Sequence, residues 1–142
     1  MSELNNLQIN KRFAKEPRFG ACCSQGSIKH FTPGKFYILN LDKPSGPGTH
    51  WVLASYIANK PYYFNSFGLP PDREIINSYR GSKSEPPIEY NSIDYQPLAS
   101  DDCGYRCVAE AEKLLDVDSS NKSKKKKKSK RIVGTGLPIQ LF

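Results

Sequence analysis

The chain has 142 residues, enough for one domain with a modest core, and carries 21 Lys and Arg against 14 Asp and Glu. Eight of the basic residues lie between positions 122 and 131, which leaves 13 basic and 14 acidic residues in 1–121. The formal charge of +7 therefore belongs to a cationic tail on a near-neutral domain. The sequence contains no apolar run of about 18 residues, which argues against a spanning helix and a membrane partner. The first residues lack the apolar segment of a signal peptide, so we expect an unexported chain with reduced cysteines.

The first 27 residues give weak signals for regular structure. Residues 1–18 are polar and irregular, which predicts a loop, and residues 19–27 are small and glycine-rich. Short apolar runs rich in aromatic and β-branched residues then predict three strands, at 35–41, 50–58 and 62–67. A tight connection at 59–61 indicates that the second and third strands form an antiparallel hairpin.

The second half of the chain contains the clearest helix. Over residues 100–117, apolar side chains recur with helical spacing. Three side chains at its start offer capping oxygens, namely Ser100, Asp101 and Asp102. Two weaker elements precede it, a short helix at 72–80 and a fourth strand at 88–95.

The composition changes sharply after residue 118. Ser, Asn and Lys dominate there, which predicts a folded domain of residues 1–118 and a disordered lysine-rich tail of residues 119–142. The expected fold class is α+β, a small mixed β-sheet with the helix of residues 100–117 packed against it. We expect this domain to be a monomer.

Three polar residues suggest a nucleophilic site. Cys103 opens the long helix, where exposed backbone N–H groups and the positive end of the helix dipole favour a thiolate. His50 starts the second predicted strand, and Asn65 lies in the strand paired with it, where its carbonyl oxygen could orient the imidazole. A cysteine, a base and a polar orienting group are the parts of nucleophilic acyl transfer.

Simpler interpretations of the same residues stay open on spacing alone. A cysteine at a helix start is often a small buried apolar residue. A histidine beside tryptophan is often a hydrogen-bonded strand-end residue, and asparagine after aromatics is often a turn former. The other cysteines, Cys22, Cys23 and Cys107, are most simply structural. Their spacing, with only two histidines in the chain, argues against a metal site.

The segments GPGTHWV, YYFNSFGLPP and YQPLASDDCGYRC resemble, in order and spacing, three motifs of a viral enzyme family. These are the adenovirus-type maturation cysteine proteases, called adenain, with relatives in other DNA viruses and virus-like transposons and a fold similar to the SUMO-specific proteases. The resemblance covers about residues 19–110. It implies an adenain-like fold, truncated at its C-terminus, with His50, Asn65 and Cys103 as the catalytic residues. It also implies an oxyanion hole made by the Gln96 side chain and the Cys103 backbone N–H.

Asn65 departs from the family pattern, which usually has Asp or Glu at this position. Asn can orient a histidine, as in the Cys-His-Asn arrangement of papain-like proteases. It cannot supply the charge that stabilises an imidazolium, so we expect slower catalysis or a weakened enzyme. Trp51 resembles the family's tryptophan beside the base, where it would shield the site.

The tail carries two further features. Its lysine run predicts nuclear import and salt-sensitive, sequence-independent DNA binding, through Lys124, Lys125, Lys126, Lys127, Lys128, Lys130 and Arg131. The segment IVGTG matches the (Met/Ile/Leu)-x-Gly-x-Gly sites that the adenain family cleaves, which implies autocatalytic cleavage between Thr135 and Gly136. The family is activated by a peptide and by DNA, so the tail resembles both activators joined to the enzyme. No other cofactor is expected.

The resemblance implies a viral cysteine endopeptidase that cleaves capsid and core precursor polypeptides during virion maturation, in the host nucleus and the virion. Two alternatives stay open. One is a protease that removes SUMO or other ubiquitin-like tags, although the chain offers little surface for recognising a folded modifier. The other is a decayed protease retained as a basic nucleic-acid-binding core protein.

Overall fold

The structure, a computed structural model, describes residues 5–41, 50–80, 87–91, 103–125 and 139–141. Within these ranges lie three α-helices, α1 Asn6–Arg12, α2 Arg73–Arg80 and α3 Cys103–Lys125. The strands are β1 Phe19–Ser24, β2 Phe36–Asn40, β3 Trp51–Ser55, β4 Tyr62–Phe64, β5 Glu89–Asn91 and β6 Ile139–Leu141. They form one sheet in chain order, in which β1–β2 and β4–β5 are parallel and the other pairs are antiparallel. The α+β class with a mixed sheet is thus confirmed.

The central strands are buried on both faces, because their side chains alternate between two apolar layers. In β2, Phe36 and Ile38 face the layer that contains α1 and α3, whereas Tyr37 and Leu39 face the layer that contains α2. All five residues of β3 are buried. Burial on both sides explains the continuous apolar runs that mark these strands in the sequence. It also places α3 directly across the sheet, as expected.

The predicted hairpin between the second and third strands is confirmed. β3 and β4 are antiparallel, with Leu53 opposite Phe64. A turn of 3-10 helix, Ile57–Asn59, joins them. The pairing brings the start of β3, beside His50, close to the end of β4, beside Asn65.

The N-terminal region is more regular than predicted. α1 follows Asn5, whose side chain accepts a hydrogen bond from the Gln8 N–H, while the Gln8 side chain accepts one from the Asn5 N–H. This capping box satisfies N–H groups that a helix start leaves free, and Ile9 and Phe13 then pack into the core. The prediction of a loop over residues 1–18 is therefore wrong at α1. The glycine-rich segment that follows contains β1, which is parallel to β2.

α3 continues past the predicted end of the domain at residue 118. Asp118 is 6% exposed and accepts a hydrogen bond of 2.7 Å from the Arg18 guanidinium. Arg18 also pairs with Glu16 at 2.9 Å, which raises the pKa of Arg18 and lowers that of Glu16. Arg18 thus binds α3 at Asp118, and α3 itself extends to Lys125. The helix predicted at 100–117 therefore runs further than expected, and residues 119–125 belong to it.

The C-terminal segment also differs from a disordered tail. β6 pairs antiparallel with β5, with Glu89 opposite Leu141 and Asn91 opposite Ile139. Residues 139–141, which lie in the predicted tail, thus extend the sheet through their backbone groups. In the described ranges, no helix has both the length and the apolar character needed to cross a bilayer.

Candidate active site

His50 and Asn65 meet at the open end of the hairpin. His50 directly precedes β3, Asn65 directly follows β4, and the antiparallel pairing brings the two residues together. The His50 Nε2 lies 3.0 Å from the Asn65 Oδ1. The contact expected between base and orienting group is therefore present, while its catalytic role stays a prediction.

The hydrogen bonds of Asn65 determine which nitrogen of His50 carries the proton. The Phe67 N–H lies 2.9 Å from Asn65 Oδ1, and a backbone N–H can only donate, so this atom is the amide oxygen. The same oxygen faces His50 Nε2, so Nε2 must carry a hydrogen and donate it. In a neutral imidazole, Nδ1 then has a free lone pair. Nδ1 is the atom of His50 that can accept a proton.

The surroundings of His50 keep its ring neutral. The ring is partly buried and stacks on Phe67, with centroids 4.7 Å apart and an interplanar angle of 20°. Burial lowers the pKa of His50 below its ordinary value of 6.5, and the hydrogen bond to Asn65 partly opposes this effect. The imidazole is therefore in its basic form at neutral pH, as a general base requires.

Cys103 lies against the peptide group that follows His50. It is the first residue of the 23-residue helix α3, and its Sγ accepts a hydrogen bond of 3.3 Å from the Trp51 N–H. This donor and the N-terminal end of the helix both favour negative charge on the sulfur. Cys103 is 3% exposed, so the sulfur is also shielded from water. The arrangement places the Cys103 thiol against the main chain of Trp51, the residue that follows His50.

A second cysteine binds the other main-chain polar group of Trp51. Cys107, one turn along α3, donates its thiol hydrogen to the Trp51 carbonyl oxygen at 3.2 Å. The pairing of β3 with β4 begins at Leu53 and does not include Trp51. The N–H and C=O of Trp51 are therefore bound by the two cysteines of α3. Burial raises the pKa of Cys107, which keeps it a neutral donor. Cys107 thus locks the start of α3 to the start of β3.

The main chain of Asn65 is held as closely as its side chain. Its carbonyl oxygen accepts a hydrogen bond of 2.8 Å from the Gly68 N–H, in a turn where Gly68 has φ of 75°, a conformation that favours glycine. The Asn91 Oδ1 accepts from the Asn65 N–H at 2.9 Å, and the Asn91 Nδ2 donates to the Asn65 carbonyl at 2.7 Å. Sequence reasoning missed Asn91. No local pattern marks it, because its partner lies 26 residues away on another strand.

Several predicted functional residues lie outside the described part of the chain, namely Gln96, Lys126, Lys127, Lys128, Lys130, Arg131, Thr135 and Gly136. The expected helix caps Ser100, Asp101 and Asp102 lie outside it as well. Lys124 and Lys125 are the last two residues of α3. The oxyanion donor, the cleavage site and the DNA-binding lysines therefore stay predictions.

The described ranges were expected to hold no metal site. They contain no group of three or more His, Cys, Asp and Glu side chains arranged to hold a metal ion. Cys22, Cys23, Cys103 and Cys107, all within the described ranges, form no disulfide.

Comparisons with protein-family models, with curated proteins and with solved structures find no match to this chain. Its own geometry defines an α+β domain with a mixed sheet, in which the first residue of one helix binds the main chain of Trp51. The preceding residue, His50, is hydrogen-bonded to Asn65.

Proposed function

We propose that this chain is a cysteine endopeptidase in which Cys103 is the nucleophile and His50 is the base. The observation that carries the proposal is a pair of contacts on adjacent residues. His50 donates from Nε2 to Asn65 and so has Nδ1 free, while the next residue, Trp51, donates its N–H to the Cys103 sulfur. A structural cysteine or a turn-forming asparagine alone would account for one of these contacts but not for their combination.

In the proposed reaction, the Cys103 sulfur attacks the carbonyl carbon of a peptide bond while His50 Nδ1 takes the thiol proton. The new C–S bond makes the carbonyl oxygen an oxyanion, for which the Cys103 N–H and, by resemblance, the Gln96 side chain are donors. Collapse breaks the C–N bond, and His50 returns the proton to the leaving amine. A water molecule, deprotonated by His50, then hydrolyses the thioester and restores the thiol.

Asn65 supports this reaction through orientation. It accepts from Nε2–H and so leaves Nδ1 as the atom that would take the thiol proton, but its neutral amide gives the imidazolium no opposite charge. Burial also disfavours the imidazolium, as the lowered pKa of His50 indicates. The expected enzyme therefore works from a neutral thiol and imidazole, and more slowly than one with a carboxylate at this position.

The resemblance to the adenain family extends the proposal to substrate and setting. The substrates would be viral capsid and core precursors, cut at (Met/Ile/Leu)-x-Gly-x-Gly sites during maturation in the host nucleus and the virion. Glycine two residues before the cut suits a narrow cleft that a side chain would block. DNA would bind through the lysine run, and the fold would be a truncated adenain-like fold.

Peptide hydrolysis tests the proposal. The wild-type protein should cut a peptide that contains Ile-Val-Gly-Thr-Gly, and Cys103→Ala and His50→Ala should each lower turnover by about 10³-fold or more. The double variant should be no worse than either single one, because the two residues act as a unit. Cys23→Ala is the matched control, since Cys23 lies in β1 outside the site, and it should keep wild-type turnover. Near-wild-type turnover in Cys103→Ala or His50→Ala would reject the assignment.

The same assay separates the two alternatives. Cleavage of a SUMO or ubiquitin fusion, but not of the peptide, would indicate a protease for ubiquitin-like tags. A protein that cuts neither substrate but binds DNA would be the decayed core protein.

A further inference from the structure

The parallel ladder between β4 and β5 is continued by a side chain. Regular pairing ends with Tyr63 opposite Tyr90, and the chain leaves β4 after Phe64. The Asn91 amide then binds both main-chain groups of Asn65, accepting from its N–H at 2.9 Å and donating to its carbonyl at 2.7 Å. One planar amide therefore forms two hydrogen bonds with the backbone of Asn65.

These two hydrogen bonds hold the residue that binds His50 Nε2. Asn65 Oδ1 accepts from His50 Nε2, and the direction of that oxygen follows from the backbone to which it is attached. Asn65 and Asn91 are each 2% exposed, so solvent water does not reach them to replace a lost hydrogen-bond partner. Three hydrogen bonds are described for the main-chain N–H and C=O of Asn65, two from the Asn91 amide and one from the Gly68 N–H. Removal of the Asn91 amide would leave only the last of these three.

We propose that Asn91 is a positioning residue, which holds Asn65 so that Asn65 keeps His50 in its Nε2–H tautomer with Nδ1 free. The inference rests on the proposed function of this site. It adds a residue from a third strand, β5, to the groups that determine the orientation of the base. Asn91 acts through Asn65 and touches neither the thiol nor the substrate.

The first test reads the His50 ring directly, by NMR of full-length protein with isotope-labelled histidine nitrogens. The chain has two histidines, and the exposed His30 is the internal reference. Wild-type His50 should show one Nε2–H tautomer. Asn91→Ala should show a mixture of both tautomers and a lower His50 pKa, because the Asn65 hydrogen bond raises that pKa.

Two further variants make this test specific. Asn91→Asp has nearly the same size and keeps the oxygen that accepts from the Asn65 N–H, but loses the donor to the Asn65 carbonyl, so it should show a smaller shift towards the mixture. Ser78→Ala removes another buried side-chain hydrogen bond, of 3.0 Å to the Ile28 carbonyl, and should leave the His50 signals unchanged.

Peptide hydrolysis supplies the second readout. Asn91→Ala should lower kcat by roughly 10-fold to 100-fold with little change in KM, as expected when a catalytic group is misplaced while substrate binding is kept. A single Nε2–H tautomer in both Asn91 variants would overturn the inference, as would failure of both to fold or the same change in Ser78→Ala. The NMR readout needs no substrate, so a tautomer mixture in a protein that cuts no peptide would support the role of Asn91 and reject the proposed function.

Discussion

The Trp51 N–H donates to the Cys103 Sγ at 3.3 Å and joins two residues that lie 52 positions apart in the chain. This hydrogen bond connects the start of α3 to the start of β3. It fixes the thiol relative to the main chain of Trp51, the residue that follows His50. The thiol of Cys107 binds the carbonyl of the same residue and reinforces the connection. The reactivity of Cys103 should therefore depend on groups that hold the hairpin and the helix in place as well as on the proposed catalytic residues.

Substitution of Asn65 should separate orientation from charge. Asn65→Ala removes the acceptor of His50 Nε2 and should lower the rate of peptide hydrolysis. Asn65→Asp keeps an acceptor and adds negative charge, so it should raise the pKa of His50 and keep or raise activity. Rates measured across pH for the three proteins check both effects. Unchanged hydrolysis by Asn65→Ala would mean that another group holds the ring.

The Arg18 ion pairs should stabilise α3 and make stability depend on pH. Arg18→Ala leaves the buried Asp118 carboxylate without this partner and should lower the free energy of unfolding by about 1–2 kcal/mol. Arg18 also holds the pKa of Glu16 below its ordinary value of 4.5. A lowered folded-state pKa contributes stability above the unfolded value that is lost as pH falls through the folded value. The difference between the two proteins should therefore be full at neutral pH and shrink below 4.5.

Chemical denaturation at several pH values measures this difference. Arg12→Ala is the matched control, because Arg12 pairs with Glu112 at 3.0 Å with both side chains largely exposed, and it should cost less than about 1 kcal/mol. Equal losses in the two variants, or a loss for Arg18→Ala that does not depend on pH, would contradict the role given to Arg18.

The lysine run should bind nucleic acid without regard to sequence. Replacing residues 124–128 with glutamine should weaken DNA binding and reduce its salt dependence, by about 0.9 in the slope of log K against log salt for each phosphate contact removed. Substitution is a cleaner test than a chain ending at residue 118, which would also remove the last turns of α3 and β6. The control replaces exposed lysines of the domain instead, namely Lys11, Lys15, Lys29, Lys60 and Lys113. Equal DNA affinity with and without the run would reject the prediction.

Self-processing between Thr135 and Gly136 should be visible as a loss of mass. Active protein should shed residues 136–142, whereas Cys103→Ala and Gly134→Val should stay intact. β6 lies within the released segment, so its departure exposes the edge of β5, and cut protein should have a lower Tm than intact Cys103→Ala. The prediction is contradicted if active protein cuts other Gly-site peptides but keeps its full mass with DNA present. The IVGTG match would then be a coincidence.

Much of the site's local structure follows from sequence, because its signals lie within short segments. Apolar runs around a tight turn predict the β3–β4 hairpin, and the hairpin brings His50 to Asn65. Helical periodicity predicts α3 and leads to Cys103 at its start. Each inference needs only the residues of one or two neighbouring elements.

The remaining features depend on partners far away in the chain. Asn91 has no local signature, because its role arises from parallel pairing of β5 with β4. The end of α3 is missed because Asp118, in a polar stretch, is covered by Arg18 from 100 positions earlier. β1 has few strand-forming residues and exists through pairing with β2. Tertiary contact overrides local composition in all three cases.

The most direct test of the central claim is the order in which the cysteines react with iodoacetamide, followed by mass mapping. Exposure alone ranks the partly buried Cys23 above Cys103, which is 3% exposed, and above the fully buried Cys107. If His50 activates the thiol at the start of α3, Cys103 should be alkylated first, and His50→Ala should abolish this preference while leaving the rate at Cys23 unchanged. Alkylation of Cys23 before Cys103 in the native protein, or an equal Cys103 rate in His50→Ala, would contradict the assignment of Cys103 and His50 as nucleophile and base.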